Sequence, residues 1–167
     1  MEYWDLYDGD RNKLGRTHLR TGDCNTLNPG EYHLAAHIWI INNKGEVLLS
    51  QRHPKKAWPL KWECPGGAAI SGEDGMTAAL REAQEEIGIR LEREEGRLIF
   101  TKKQEINFVD VFLFKKKFDI KDAKPQETEV VAIKWASRDE LLRMAENGDI
   151  AEPLLDDLEK LQELNII

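Results

Sequence analysis

The chain has 167 residues and a net charge of −7, and 41% of its residues are hydrophobic, which suits one domain with a sizeable core. The acidic balance argues against broad attraction to a nucleic acid polymer or an anionic membrane surface. No apolar run approaches a membrane span, and the start MEYWDLYDGDRNK lacks the basic-then-apolar order of a signal peptide, so a cytoplasmic location is expected. In chain order, residues 3–7 and 15–19 flank the polar turn at 8–12 and predict an N-terminal hairpin. Residues 35–41 and 47–50 flank Asn42-Asn43-Lys44-Gly45, a stronger hairpin signal. Pro65-Gly66-Gly67 predicts a turn in which backbone can approach a cation or a phosphate closely. Met76, Ala79, Leu80, Ala83 and Ile87 then recur at helical spacing, with Glu73 and Asp74 near the helix start and Gly88 after its end. Residues 98–102 and 109–115 read as strands, 118–125 as a polar connection and 130–135 as another strand. Ser137-Arg138-Asp139-Glu140 is a capping box ahead of a helix closed by Gly148, and Leu154, Leu155, Leu158 and Leu161 mark a last helix beside Pro153. Cys24 and Cys64 form neither a metal-spacing motif nor a disulfide framework.

Chemistry concentrates on the first helix. Glu82, Glu85 and Glu86 stand at i, i+3 and i+4, where like charges repel by about 0.2–0.5 kcal/mol per pair in an isolated helix. A hard divalent cation such as Mg²⁺ would offset that repulsion, and Mg²⁺ commonly sits between carboxylates and substrate phosphates. The competing reading is a solvated acidic face. The full pattern decides between them: Gly67, five residues, Glu73, seven residues, then Arg81-Glu82-Ala83-Gln84-Glu85-Glu86-Ile87-Gly88-Ile89. This stretch resembles the signature of the Nudix hydrolases at every fixed position.

The resemblance implies an α/β fold, a Nudix-type α/β/α sandwich with a mixed sheet, to which the N-terminal hairpin is added, with residues 1–167 as a single domain. It implies Mg²⁺ or Mn²⁺ held by Glu82, Glu85, Glu86 and a backbone carbonyl at Gly67, with Arg81 fixing the glutamates. Glu73 is either an outer metal group or an anchor for the loop. Homodimer formation is a tendency of the family.

A narrower resemblance covers His33-Leu34-Ala35, residues 42–52, Lys55-Lys56-Ala57-Trp58-Pro59 and Trp62, which are similar to the corresponding run in type I isopentenyl-diphosphate isomerases. It implies that Arg52 and one of Lys55 or Lys56 grip a diphosphate, Lys56 being the preferred choice, and that His33 matches a ligand histidine, although a structural role suits a lone histidine before an apolar strand better. The isomerase's catalytic cysteine and its second histidine would fall on Gly66 and Ala68, and its two glutamates on Glu105 and Asn107. Isomerisation is thus not expected, whereas the hydrolase signature is complete.

The expected activity is a metal-dependent pyrophosphohydrolase acting on a small-molecule diphosphate such as a nucleoside diphosphate derivative. Catalytic candidates are Glu82, Arg81, Glu85, Glu86 and Glu105, with Glu127 and Glu129 as further choices of general base. Tyr3, Trp4, Tyr7 or Phe108 could stack on a base. The alternatives are a prenyl-diphosphate hydrolase and a non-catalytic domain that senses nucleotides or binds a protein.

Overall fold

Residues 1–21 and 27–167 are described by a computed structural model; Cys24 lies outside the described residues. Strands β1 (Tyr3–Tyr7) and β2 (Lys13–Leu19) form the N-terminal antiparallel hairpin. The second strand starts two residues earlier than its apolar pattern suggests, because Lys13 pairs with Tyr7 beyond a register shift. The turn between them places Arg11 in the left-handed region, with φ 65°, and its guanidinium grips both oxygens of Asp110 at 2.6 Å. A bidentate pair of this kind fixes orientation as well as distance.

The main sheet is mixed. Strand β3 (His33–Ile41) runs parallel to β8 (Asn107–Lys115) over nine residue pairs, and β8 is antiparallel to β7 (Gly96–Lys103). On the other side β3 meets β4 (Val47–Arg52) at the hairpin end, and β4 pairs with both β5 (Trp62–Glu63) and β9 (Val130–Ala136). The remaining edge of β3 is taken by β6 (Gly66–Ala68), which sets His37 opposite Gly66 and Ala36 opposite Gly67. Most of the expected turn at Pro65-Gly66-Gly67 is therefore a short strand. Only glycine fits there: a Cβ on Gly66 would lie 2.4 Å from the Ala36 carbonyl oxygen.

Helices cover both faces of this sheet. Helix α1 (Gly75–Ile87) is capped by Asp74, which accepts from the Thr77 amide, and closed by Gly88 at φ 69°. Its contact line is centred on Ala78, Ala79, Ala83 and Ile87, with Met76 and Leu80 only partly buried. Small alanines let the helix lie close to Leu34, Ala36, Ile38 and Ile40 of β3, which alternate onto that face. The opposite face carries Trp39, Leu49, Val109 and Val111 against α2 (Arg138–Glu146) and α3 (Leu155–Glu163). The segment at 118–125 is less polar in practice than in sequence, because Phe118, Ile120 and Ala123 fold back onto the α1-side core. No helix among the described residues is long and apolar enough to cross a membrane.

Candidate active site

Two elements meet to make an acidic cleft: the outer face of α1 and the double glycine of β6. The loop between them is tied down from two directions. Ser71 and Gly72 bind Asp5 of the N-terminal hairpin, at 2.6 and 3.1 Å. Glu73 accepts from the Ile70 amide and receives both the Nε and the Nη2 of Arg81, at 2.8 and 2.9 Å. Of the two roles open to Glu73, the loop anchor is the one this geometry displays. Arg81 also donates to the Ala68 carbonyl at 3.0 Å, to Glu82 at 2.8 Å and to Glu85 at 2.9 Å. One guanidinium thus ties loop, strand and two of the three helix carboxylates together, a task its planar fork suits better than an ammonium.

The three carboxylates differ in environment. Glu85 is exposed, Glu82 is half-buried and Glu86 is buried. Burial raises the Glu82 carboxyl above its ordinary range despite the adjacent Arg81 charge. Glu86 is pushed up to about 8, first by burial and then by the nearby Glu63 charge, against which the Gly66 amide donates a single hydrogen bond at 2.9 Å. At Gly67 the Glu82 carboxyl packs directly on the backbone, so that a Cβ there would come within 2.4 Å of it. Glycine is therefore required where strand meets carboxylate, and the Gly67 backbone shares the cleft with Glu82, Glu85 and Glu86.

This donor set is all oxygen and acidic, which suits a hard cation. Glu82, Glu85 and Glu86 are not drawn into a tight cage: among the described residues the only trio of His, Cys, Asp or Glu donors within 4.8 Å of one another is His37, Cys64 and Asp157. An open carboxylate arrangement fits Mg²⁺, which retains several waters and is bound through one or two carboxylates plus phosphates. The His37 trio is a weaker cage than its spacing implies. His37 Nδ1 and Asp157 Oδ2 are 2.6 Å apart, a hydrogen-bond distance, whereas two ligands about 2.0 Å from one tetrahedral ion stand about 3.3 Å apart. Burial also raises the Cys64 thiol well above its usual range, so thiolate is disfavoured.

The basic residues line two adjoining spaces that share the double glycine. Lys56 lines the acidic cleft and pairs closely with Glu129, which lines it too. Arg52 instead lines an adjoining cavity of about 370 Å³, where it donates to Glu63 at 2.5 Å and lies 5.6 Å from the Trp58 ring centre. Arg20, to which no sequence signal pointed, borders both spaces together with Gly66 and Gly67. It follows the N-terminal hairpin, outside the motif, and only the fold carries it there. Glu105 is exposed and lines neither space, although Gln104 and Asn107 on either side of it line the adjoining cavity. Glu127 is likewise exposed and outside both. Among the stacking candidates Trp4 lines the adjoining cavity, Tyr3 is exposed, and Tyr7 and Phe108 belong to the core. His33 is buried beneath Trp4, ring centres 4.0 Å apart and nearly parallel, and burial drives it down to about 4.

Comparisons with known proteins identify the family and the fold. The model of the NUDIX domain matches residues 31–158. An uncharacterised Nudix hydrolase of Listeria monocytogenes is 36% identical over 151 residues, which cover 89% of this chain and 88% of that protein. The crystal structure of DR0079 from Deinococcus radiodurans superposes with a TM-score of 0.76 at 22% identity, covering 97% of this chain and 98% of that one. An isopentenyl-diphosphate Delta-isomerase of Paenarthrobacter aurescens matches over 61 residues only, at 46% identity, covering 34% of this chain and 32% of that protein. Signature, fold and full-length relative converge: the chain belongs to the Nudix hydrolase family, whose members act on phosphoanhydride bonds.

Proposed function

We propose that this chain is a Mg²⁺- or Mn²⁺-dependent pyrophosphohydrolase that cleaves the diphosphate linkage of a nucleoside diphosphate derivative or a related small diphosphate. The observation that carries the reading is Glu86, a buried carboxyl facing Glu63 and Glu82, with one hydrogen bond from the Gly66 amide and an attraction to Lys56 that does not offset its burial. A buried carboxylate whose one cationic neighbour, Lys56, is already paired with Glu129 is unfavourable, and a divalent cation at the cleft mouth supplies the missing charge. Glu82, Glu85, Glu86 and the Gly67 carbonyl would hold it. When bound, a divalent cation there neutralises diphosphate charge and lowers the pKa of the attacking water.

The chain's own groups do the rest. Lys56 and Arg52, from the two spaces that share the double glycine, neutralise the two ends of a diphosphate laid across it, and Arg20 lies at the junction. Arg81 fixes the positions of Glu82 and Glu85. Proton removal from water falls to Glu82 or Glu129, both of which line the cleft. Glu129 is held by Lys56 in the free protein, and arriving phosphate competes for that ammonium and frees the carboxylate. Glu105 would need its turn to move before it could act, so it ranks below both. Residues 1–167 are taken as one Nudix unit, because Tyr7 of the hairpin is part of the α1-side core.

The test is release of phosphate and nucleotide from nucleoside diphosphates, triphosphates, diphosphate-linked conjugates and isopentenyl diphosphate, with Mg²⁺ or Mn²⁺ and with chelator. Metal-dependent hydrolysis supports the reading. Isomerisation of isopentenyl diphosphate, or metal-dependent stabilisation with no turnover on any substrate, contradicts it.

A further inference from the structure

The cavity on the α3 side of β6 contains a hydrogen-bonded group that the hydrolytic reading does not use. His37 stands directly opposite Gly66 in the sheet, one strand from the amide that holds Glu86. Its Nδ1 lies 2.6 Å from Oδ2 of Asp157, a residue of α3 with no solvent exposure. The Trp39 indole donates to the same oxygen at 3.2 Å. The Lys102 ammonium is 2.5 Å from the other oxygen, as a close ion pair without hydrogen-bond alignment. Burial pushes the Asp157 carboxyl up, but His37 and Lys102 outweigh it and hold it below the usual carboxylate range. An ionised carboxylate only accepts, so Nδ1 carries the hydrogen, and Nε2 is the ring's remaining hydrogen-bonding atom. His37 lines the cavity, and no hydrogen bond to Nε2 is found among the described residues.

A staple between α3 and the sheet would need none of this polarity, since apolar side chains of similar volume hold such a contact at least as well. The surroundings point to a ligand. The cavity adjoins the acidic cleft at Gly66, Gly67 and Arg20, so a molecule whose phosphates lie on the double glycine extends its next group into it. Trp58 offers exposed aromatic surface, and Gln104 and Asn107 offer amides that both donate and accept. The Trp4 indole Nε1 is buried and has no hydrogen-bond partner, a donor left without an acceptor in the cavity wall.

We propose that this cavity takes the organic part of the diphosphate substrate, and that His37 is a specificity-determining residue whose free ring nitrogen selects a planar heterocyclic base with a hydrogen-bonding edge over an apolar chain. Asp157 is its positioning residue. The proposal rests on the pyrophosphohydrolase reading for its second half, the phosphates, but not for the cavity itself. It favours a nucleoside over a prenyl group because the wall is set with unspent hydrogen-bonding groups, which an apolar chain would leave unpaired.

The experiment is calorimetric binding of the α,β-methylene diphosphates of the four common nucleosides, which do not turn over, to wild type, His37→Phe and His37→Gln, with melting curves of all three. Wild type should rank the bases at least about tenfold apart. His37→Phe should weaken the preferred ligand about 5- to 100-fold and flatten the ranking, as expected when a buried hydrogen bond is lost. His37→Gln, which keeps a hydrogen-bonding group, should restore part of the preference. Equal binding of all four bases by wild type, or an unchanged ranking in both variants despite lowered melting temperatures, would reduce the dyad to a staple and overturn the proposal. Tighter binding of isopentenyl diphosphate than of every nucleotide would do the same. Base-selective binding without hydrolysis of the unmodified diphosphates would sink only the pyrophosphohydrolase reading, and hydrolysis without base selectivity would sink only this one.

Discussion

Two buried carboxylates on either side of strand β6 show opposite treatment. Asp157 has two hydrogen-bond partners, His37 and Trp39, and the Lys102 ammonium as an ion-pair partner, and is held below its ordinary range. Glu86 has one backbone amide, faces two other glutamates and is pushed up to about 8. Burial is comparable, 0% and 4% exposed, so the difference lies in the counter-charge the chain supplies. Where a fold provides the partner, a buried charge is architecture. Where it offers only Lys56, already paired with Glu129, beside a glycine-lined strand and an open cleft, the partner comes from outside.

This contrast can be broken most severely at Glu86. Glu86→Gln keeps shape and removes the charge reserved for the cation, and metal-dependent hydrolysis should fall by about a thousandfold, in line with the several kcal/mol a metal contributes to charge stabilisation. The same variant should stabilise the metal-free fold in alkali. The folded carboxyl titrates near 8 and the unfolded one near 4.5, so the folded state binds more protons between those values and stability declines as pH rises through that window. On the order of 5 kcal/mol is at stake by that difference, and chemical denaturation at pH 5 and pH 9 without metal reads it.

Asp157→Ala acts in the reverse sense. It strands Lys102 and His37, and unfolding free energy should fall by about 3–5 kcal/mol at neutral pH, measured by denaturant titration, with no gain in alkali. His33 sharpens the contrast from a third position, since it is buried and neutral. It protonates near 4 in the folded state and near 6.5 when unfolded, so the unfolded chain binds more protons in between, and stability is lost as pH falls from 6.5 to 4. The loss should be about 3 kcal/mol, and His33→Gln should abolish that slope. The smallest effect is expected from Arg81→Lys, which keeps the charge but loses the fork that spans Glu73, Glu82 and Glu85. Turnover should drop about tenfold, with a melting temperature lowered by a few degrees.

Much of this was legible in the sequence where local rules govern. The signature helix, the negative charge at its start and its Gly88 stop follow from spacing, the helix dipole and the left-handed φ that glycine tolerates, and Asp74 proves to be the cap itself. Half of the capping box at Ser137 also follows, since its hydroxyl accepts from the Glu140 amide, while the Glu140 carboxylate binds Lys134 instead. What was hidden depends on sheet order. Gly66 looks like a turn residue until β3 is seen to run alongside it, and the 118–125 segment looks polar until Phe118 and Ile120 meet the core. Arg20 and the His37–Asp157 pair were unreadable for the same reason. His37 and Asp157 are 120 residues apart and share no motif; only the packing of α3 on β3 unites them. Glu105 illustrates the converse, since alignment to a relative's strand fixes a register but not whether a side chain reaches the cleft.

The most direct measurement is titration of Mn²⁺ into wild type and Glu86→Gln at pH 7 by calorimetry in buffers of different ionisation enthalpy, which counts protons released on binding. Glu86 is largely protonated at that pH in the free protein, so the cation must displace its proton. The account predicts release of about one proton per ion by wild type and weakened binding with none released by Glu86→Gln. Equal affinity and equal proton release in the two proteins would contradict it, because the ion would then be held somewhere other than the cleft between α1 and the double glycine.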